Sequence, residues 1–277
     1  MEANIYKIDP WEIIEEGWDT SKVMGSESIF SIGNGAMGQR ANFEEDFSGK
    51  TFKGSYIGGI YYPDKTKVGW WKNGYPEYFA KVINAPSWIG ISILIDGIPL
   101  DLNKVDKIEK FERKLDMKNG LYERSISIIT NDNLKVEIDS KRFISMKRKS
   151  VGAISYKIRC NRDVKITLSP YIDFDVSNDD SNWDEKFWET IEKVNTLNKS
   201  LVKSKVKKTG FKVITYMKAD LYDNNVKLEK PFIAKSNSEK ILLESKHKLN
   251  KGHTLKLVKF GGYVTSECNE WNKIENK

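Results

Sequence analysis

The sequence has little of what would declare a function directly. It holds two cysteines, Cys160 and Cys268, far apart and outside any CxxC or Cys/His cluster. That excludes a disulfide framework and the common zinc spacings, and it leaves two free thiols suited to a reducing compartment. Only two histidines, His247 and His253, are present for imidazole chemistry. No run of about 18 apolar residues occurs, and the opening MEANIYKIDPWEII has no apolar signal core. A membrane span and a secretory leader are therefore not expected, and the cytoplasm is. Arginine is scarce as well. Of 46 basic residues only Arg40, Arg113, Arg124, Arg142, Arg148, Arg159 and Arg162 are Arg. A nucleic-acid reader of net charge +7 would be expected to show arginine enrichment and a motif. The densest cluster, KSKVKK from Lys203 to Lys208, reads instead as one solvated strand face and its turn. No P-loop, G-x-S-x-G or HExxH is found, so no complete catalytic set is visible and no catalytic residue is assigned.

What is present is alternation. In KFERKLDM, Phe111, Leu115 and Met117 share one face, and Lys110, Glu112, Lys114 and Asp116 the other. Asn119-Gly120 supplies a tight hairpin, and Tyr122, Ile126 and Ile128 return together. After an Asn131-Asp132-Asn133 turn, Leu134, Val136, Ile138, Ile144 and Met146 alternate with charges. Ile154, Tyr156, Ile158 and Cys160 follow, then Val164, Ile166 and Leu168, and further strands near 200–207, 211–219, 240–248 and 254–264. Strands at this spacing, with no helical period between them, predict an all-β chain, an antiparallel sandwich or barrel. At 31.9 kDa such a chain buries roughly three quarters of its unfolded surface, so its core needs no staples.

Five local patterns invite a site. Gly33, Gly35 and Gly38 in FSIGNGAMGQR have the spacing of a dinucleotide fingerprint. A buried strand should precede and a long helix follow, and neither is predicted here, so the glycines serve backbone conformation and close packing. Arg40, Glu44 and Glu45 beside them suggest a hydrogen-bonded segment, structural in preference to ligand-facing. VGWWKNGYPEYFAKV offers Trp70, Trp71, Lys72, Asn73 and Tyr75. Such residues suit a sugar, with rings against pyranose C–H faces, or a domain interface, and the interface or core is preferred. Asp173-x-Asp175-x-Ser177, with Asp179, Ser181 and Asp184, partly matches a calcium loop but has Asn178 where the turn glycine belongs, so an Asx-rich loop capping backbone N–H groups is expected. His247 and His253 flank the last hairpin, with Glu244 the one local carboxylate able to orient them, and surface positions are expected for both.

The longer blocks carry a resemblance. ESIFSIGNGAMGQRANFEE (27–45), TFKGSYIGGIYYPDKTKVGWWKNGYPEYFAKVINAPSWIGI (51–91), FERKLDMKNGLYER (111–124), RFISM (142–146) and DFDVSNDDSNWDEKFW (173–188) resemble the N-terminal domain of glycoside hydrolase family 65, the tryptophan-rich block its maltose phosphorylases in particular. The resemblance implies a large antiparallel two-sheet β-sandwich of the galactose mutarotase type (a supersandwich). It implies that residues 1–264 form that domain and that 265–277 begin a linker to an (α/α)₆ catalytic barrel not contained in these residues. The implied parent reaction is inverting phosphorolysis of maltose to β-glucose 1-phosphate and glucose, with a barrel glutamate as acid and inorganic phosphate as co-substrate. No organic cofactor or metal is implied. The barrel, of the same or a split gene product, and a second copy are the expected partners, Arg40, Glu44 and the residues from Trp70 to Tyr75 the candidate contacts, and the chain alone is expected to be inactive. A freestanding carbohydrate-binding module and a mutarotase-like enzyme using His247 or His253 are the alternatives.

Overall fold

The computed structural model describes residues 6–67, 74, 76–268 and 271. In chain order its elements are β1 (Tyr6–Ile8), β2 (Glu12–Glu16), α1 (Val23–Ile29), β3 (Ile32–Gly33), β4 (Met37–Gln39), β5 (Ser55–Ile57), β6 (Tyr61–Lys65), β7 (Tyr78–Val82), β8 (Ile91–Ile95), β9 (Ile98–Pro99) and β10 (Lys107–Asp116). They continue with β11 (Leu121–Ile129), β12 (Lys135–Ile144), β13 (Val151–Cys160), β14 (Val164–Asp173), β15 (Trp188–Asn195), β16 (Ser200–Val206), β17 (Lys212–Asp223), β18 (Val226–Lys227), β19 (Ile233–Ser236), β20 (Lys240–Leu249) and β21 (Leu255–Thr265).

Period-two patterning decides which strands meet. One sheet of 11 strands runs β1-β2-β10-β11-β12-β13-β21-β17-β16-β15, with β18 added beside β17, and a second runs β19-β20-β14-β8-β9. Their ladders are antiparallel. Ile126, Ile138, Tyr156 and Leu257 of the large sheet share one buried cluster with Ile93, Ile166, Leu168 and Leu243 of the small one. This is the two-layer sandwich that alternation favours, each sheet hiding its apolar face against the other. Among the described residues every named element except α1 is a strand, and two small extra sheets, β3-β4-β5 and β6-β7, lie beside the sandwich.

Several local expectations change. The β10–β11 loop has four residues, Met117 to Gly120, and only Gly120 takes a positive φ (64°). The Asn119 backbone N–H and side-chain amide both donate to the Asp116 carboxylate, which shapes a longer turn. Met117 consequently leaves the inward face and is exposed. The vacated pattern hid another fact: Arg113 points inward between Phe111 and Leu115. Helix α1 was not predicted, because seven residues without a side-chain cap carry no periodic signal. Its Glu27 is buried and accepts from Thr51 and from the Phe52 N–H, so tertiary contact holds it. Strand β15 was also unseen. It is the edge of the large sheet, exposed over most of its length and broken by a register shift between Thr190 and Glu192, both of which erase alternation.

Candidate functional site

The glycine motif folds as a hairpin. β3 and β4 pair Ile32 with Gln39 and Gly33 with Gly38, and Gly35 turns the chain at φ 83°. Asn34 locks it: its side-chain oxygen accepts from the N–H groups of Ala36 and Met37, and its amide donates to Ser145 and Lys149 carbonyls. No long helix follows, so these glycines make no phosphate cradle.

Just after it the chain dives under the large sheet. Arg40 is half-buried, donating to the Phe52 and Met24 carbonyls with its guanidinium over the Phe52 ring. Glu44 and Glu45 are buried and meet arginines from two neighbouring strands. On β11, Arg124 holds Glu45 through two 2.5 Å bonds and Glu44 through a third at 2.7 Å. On β12, Arg142 bonds Glu44 and donates to the Arg40 and Asn42 carbonyls. On β10, Arg113 faces Glu15 of β2 at 2.6 Å, an ion contact without hydrogen-bond alignment. Burial raises the Glu15 pKa in spite of that arginine. For Glu44 burial acts the same way, but attraction by Arg142 and Arg124 outweighs it and holds the carboxyl below its ordinary value. A fourth cation, Lys259 of β21, is fully buried and donates to the Gly90 and Tyr171 carbonyls. Burial pushes its ammonium well below the usual lysine range. Glu44 is thus enclosed in an ion network, and sequence reasoning missed its two arginine partners, Arg124 and Arg142.

Trp70, Trp71, Lys72, Asn73 and Tyr75 lie outside the described residues. The strands flanking them, β6 and β7, form a hairpin that leaves Tyr61, Tyr78, Phe79 and Val82 exposed. Its inner side is tied down: Tyr62 stacks on Phe187, and buried Asp64 pairs with Lys81 at 2.8 Å. The acidic loop works as a set of caps. Asp173 accepts from the Asp175 N–H, Asn178 from the Asn84 N–H, and Asp175 pairs with Lys186. Among the described residues no group of three or more His, Cys, Asp and Glu side chains could hold a metal ion. The histidines do meet, through a residue that proximity in sequence did not suggest. His247 Nε2 and His253 Nδ1 each lie 2.9 Å from one oxygen of Asp223, at the end of β17, so a single carboxylate ties two imidazoles across the sandwich edge. Both cysteines are free, Cys160 buried with its thiol pushed up to about 12 by burial.

A further concavity lies elsewhere. A cleft of about 780 Å³ runs beside the β8–β9 edge of the small sheet, between the loops 42–55 and 96–105 and the β11–β12 turn. Phe47, Ile98, Pro99 and Val105 give it apolar surface, and Asp46, Asp101, Lys53 and Lys104 give it polar groups. Neither histidine lines it. Its walls come from segments far apart in sequence, so no motif announces it.

The profile of the glycosyl hydrolase family 65 N-terminal domain matches residues 13–276. Similar curated proteins include the maltose phosphorylase of Bacillus subtilis (strain 168), 46% identical over 68% of this chain and 25% of its own length. The α,α-trehalose phosphorylase of Thermoanaerobacter brockii is 30% identical over 98% of this chain and 36% of its own length. A solved structure assigned as a kojibiose phosphorylase from the human microbiome superposes with a TM-score of 0.83 at 24% identity, over 98% of this chain and 35% of that one. The chain therefore spans about a quarter to a third of the length of these three proteins. Among the described residues no helix is long and apolar enough to cross a membrane.

Proposed function

We infer the role of this chain from one premise, that it belongs to glycosyl hydrolase family 65 as an N-terminal domain, and we propose that it is the non-catalytic β-sandwich of a disaccharide phosphorylase acting on maltose. The observation that carries the proposal is the 46% identity to a maltose phosphorylase, well above that to the trehalose enzyme. The parent reaction on this reading is inverting phosphorolysis. Inorganic phosphate replaces the activated water of an inverting hydrolase, so one protein carboxyl, in a barrel beyond these residues, suffices as the acid. No organic cofactor or metal takes part. The setting is cytoplasmic, in keeping with two free cysteines.

The test uses two proteins: this chain, and the product of the reading frame extended past Lys277. The extended protein is expected to release glucose and β-glucose 1-phosphate from maltose only with phosphate present, and this chain to release none. Phosphorolysis of kojibiose or trehalose in place of maltose would reassign the substrate, and turnover by the chain alone would overturn its non-catalytic role.

The same proposal gives the domain two surfaces for the barrel or a second copy. One is the outer side of the β6–β7 hairpin, where exposed Phe79 and Val82 flank the aromatic segment. The other is a cross-strand row on the outer face of the large sheet, Leu121–Phe143–Ala153–Phe260, with Phe143 and Phe260 exposed. Contiguous apolar surface of this kind marks interaction sites. Val82→Asp, at an exposed position, should leave the melting temperature of this chain unchanged and weaken assembly of the extended protein in sedimentation. Unaltered assembly would remove the hairpin from the interface.

A further inference from the structure

We propose that the cleft beside β8 and β9 is a binding site for a neutral oligosaccharide. Its volume, about 780 Å³, falls in the range of about 300–1,000 Å³ typical of small-molecule sites. It is preformed by rigid parts. The β8–β9 turn takes left-handed conformations at Asp96 and Gly97 (φ 50° and 86°), and Asp96 is held there by the Lys165 N–H at 2.8 Å. Such preorganisation lowers the ordering cost of binding.

The chemistry of the walls selects the ligand. Glu45, Asp46, Asp96, Asp101, Asp132 and Asp173 border the cleft, so a phosphate or sulfate ester would be repelled. A cation is not called for, because most of these acids already have partners. Arg162 spans Asp96 and Asp132 at 2.9 and 2.5 Å. Arg124 holds Glu45, Asp101 accepts from the Ser48 and Asn103 N–H groups, and Asp46 accepts from the Tyr171 hydroxyl at 3.0 Å. An ionised carboxyl accepts about four hydrogen bonds, so lone pairs remain after these contacts. Lys53 and Lys104 add donors. Between these polar groups lie Phe47, Ile98, Pro99 and Val105, and Ile98 is 63% exposed. Acceptors, donors and apolar carbon side by side match the mixed hydroxyl and C–H surface of an uncharged sugar chain.

The test uses the chain with ¹⁵N-labelled tryptophan. Trp18 packs edge-on against Phe47, ring centroids 6.0 Å apart, and its indole N–H reports on the cleft wall. The probes are maltotetraose, cellotetraose and glucose 1-phosphate; only the first of these choices rests on the proposed kinship with maltose phosphorylases. Maltotetraose is expected to shift the Trp18 signal saturably, with Kd on the order of 1 mM or tighter. Ile98→Glu and Lys53→Ala, both at exposed positions, should keep the melting temperature and weaken binding at least about tenfold, a loss of about 1.4 kcal/mol. Saturation by cellotetraose alone supports the cleft as a sugar site and detaches it from the maltose reading. No saturable shift with either tetraose, equal binding by both variants, or a preference for glucose 1-phosphate would each overturn the proposal. Family membership rests on sequence and survives all three.

Discussion

Arg124→Met is expected to cost about 3–5 kcal/mol of folding stability, the usual loss when one member of a buried ion pair is removed. The guanidinium is wholly enclosed and supplies three hydrogen bonds to Glu44 and Glu45. Without it, Glu45 keeps, among the described residues, the Tyr156 hydroxyl at 3.4 Å as its one side-chain donor, while its charge stays buried. The loss is not the worth of the pair. Arg124→Met combined with Glu45→Leu removes both charges, leaves Glu44 on Arg142, and should recover most of the stability, since an apolar replacement of a buried pair is often neutral or better. Urea unfolding of the two single variants and the double gives the coupling directly. A single-variant loss under about 1 kcal/mol would mean that water reaches the network.

The network also sets the acid limb of stability. Glu44 has a folded pKa below its ordinary 4.5 because Arg142 and Arg124 together outweigh burial. The unfolded chain therefore binds its proton first. The stabilisation is complete above the unfolded value and disappears as pH falls through the folded one. Arg142→Met leaves burial less opposed, so Glu44 should take up its proton at higher pH, and the urea midpoint should begin to drop earlier between about pH 6 and about pH 3. An unchanged profile would place acid sensitivity in other carboxylates.

How far the sequence discloses all this depends on range. Alternation is local, and it placed Phe111, Leu115, Tyr122, Ile126, Val136, Ile138 and Ile154 on inward faces, where they are buried. The arginines stood in the same phase. Arg113, Arg124 and Arg142 occupy inward slots on three adjacent strands, and Arg113 and Arg124 are direct cross-strand partners. A cation in an apolar slot is a legible signal of buried pairing, since like charges opposite each other need acids between them. The identity of the acids was not legible, because Glu45 lies 79 residues from Arg124. The histidine clasp failed for the same reason: its carboxylate is Asp223, on a strand of the other sheet, and not nearby Glu244. The cleft draws on the small sheet, two loops and a turn, and only register and topology bring them together.

Trp88→Ala is expected to cost about 3–5 kcal/mol, as large aromatic truncations in a closed core do. The case is argued from both sides of the ring. Trp88 is fully buried and belongs to the segment entering β8, in the small sheet, yet it rests on two glycines of the large one. A Cβ on Gly152 would come within 2.6 Å of the ring, and one on Gly261 within 2.7 Å of it and 2.9 Å of the Tyr216 carbonyl. Gly152 and Gly261 are register partners on β13 and β21, so the absence of two neighbouring side chains makes the socket that lets the sheets close over an indole. Gly261→Ala should therefore cost about 1–3 kcal/mol through overpacking. Coupling separates this from a backbone effect. In Trp88→Phe, where the ring is smaller, Gly261→Ala should cost less than in the parent, by about 0.5 kcal/mol or more. Urea unfolding of the four proteins measures the difference. If Gly261→Ala costs the same beside Phe as beside Trp, its penalty comes from the Tyr216 carbonyl, and the glycines were not selected by the indole. If the costs differ, the width of the sandwich at its centre is set by one tryptophan and the two residues that make room for it.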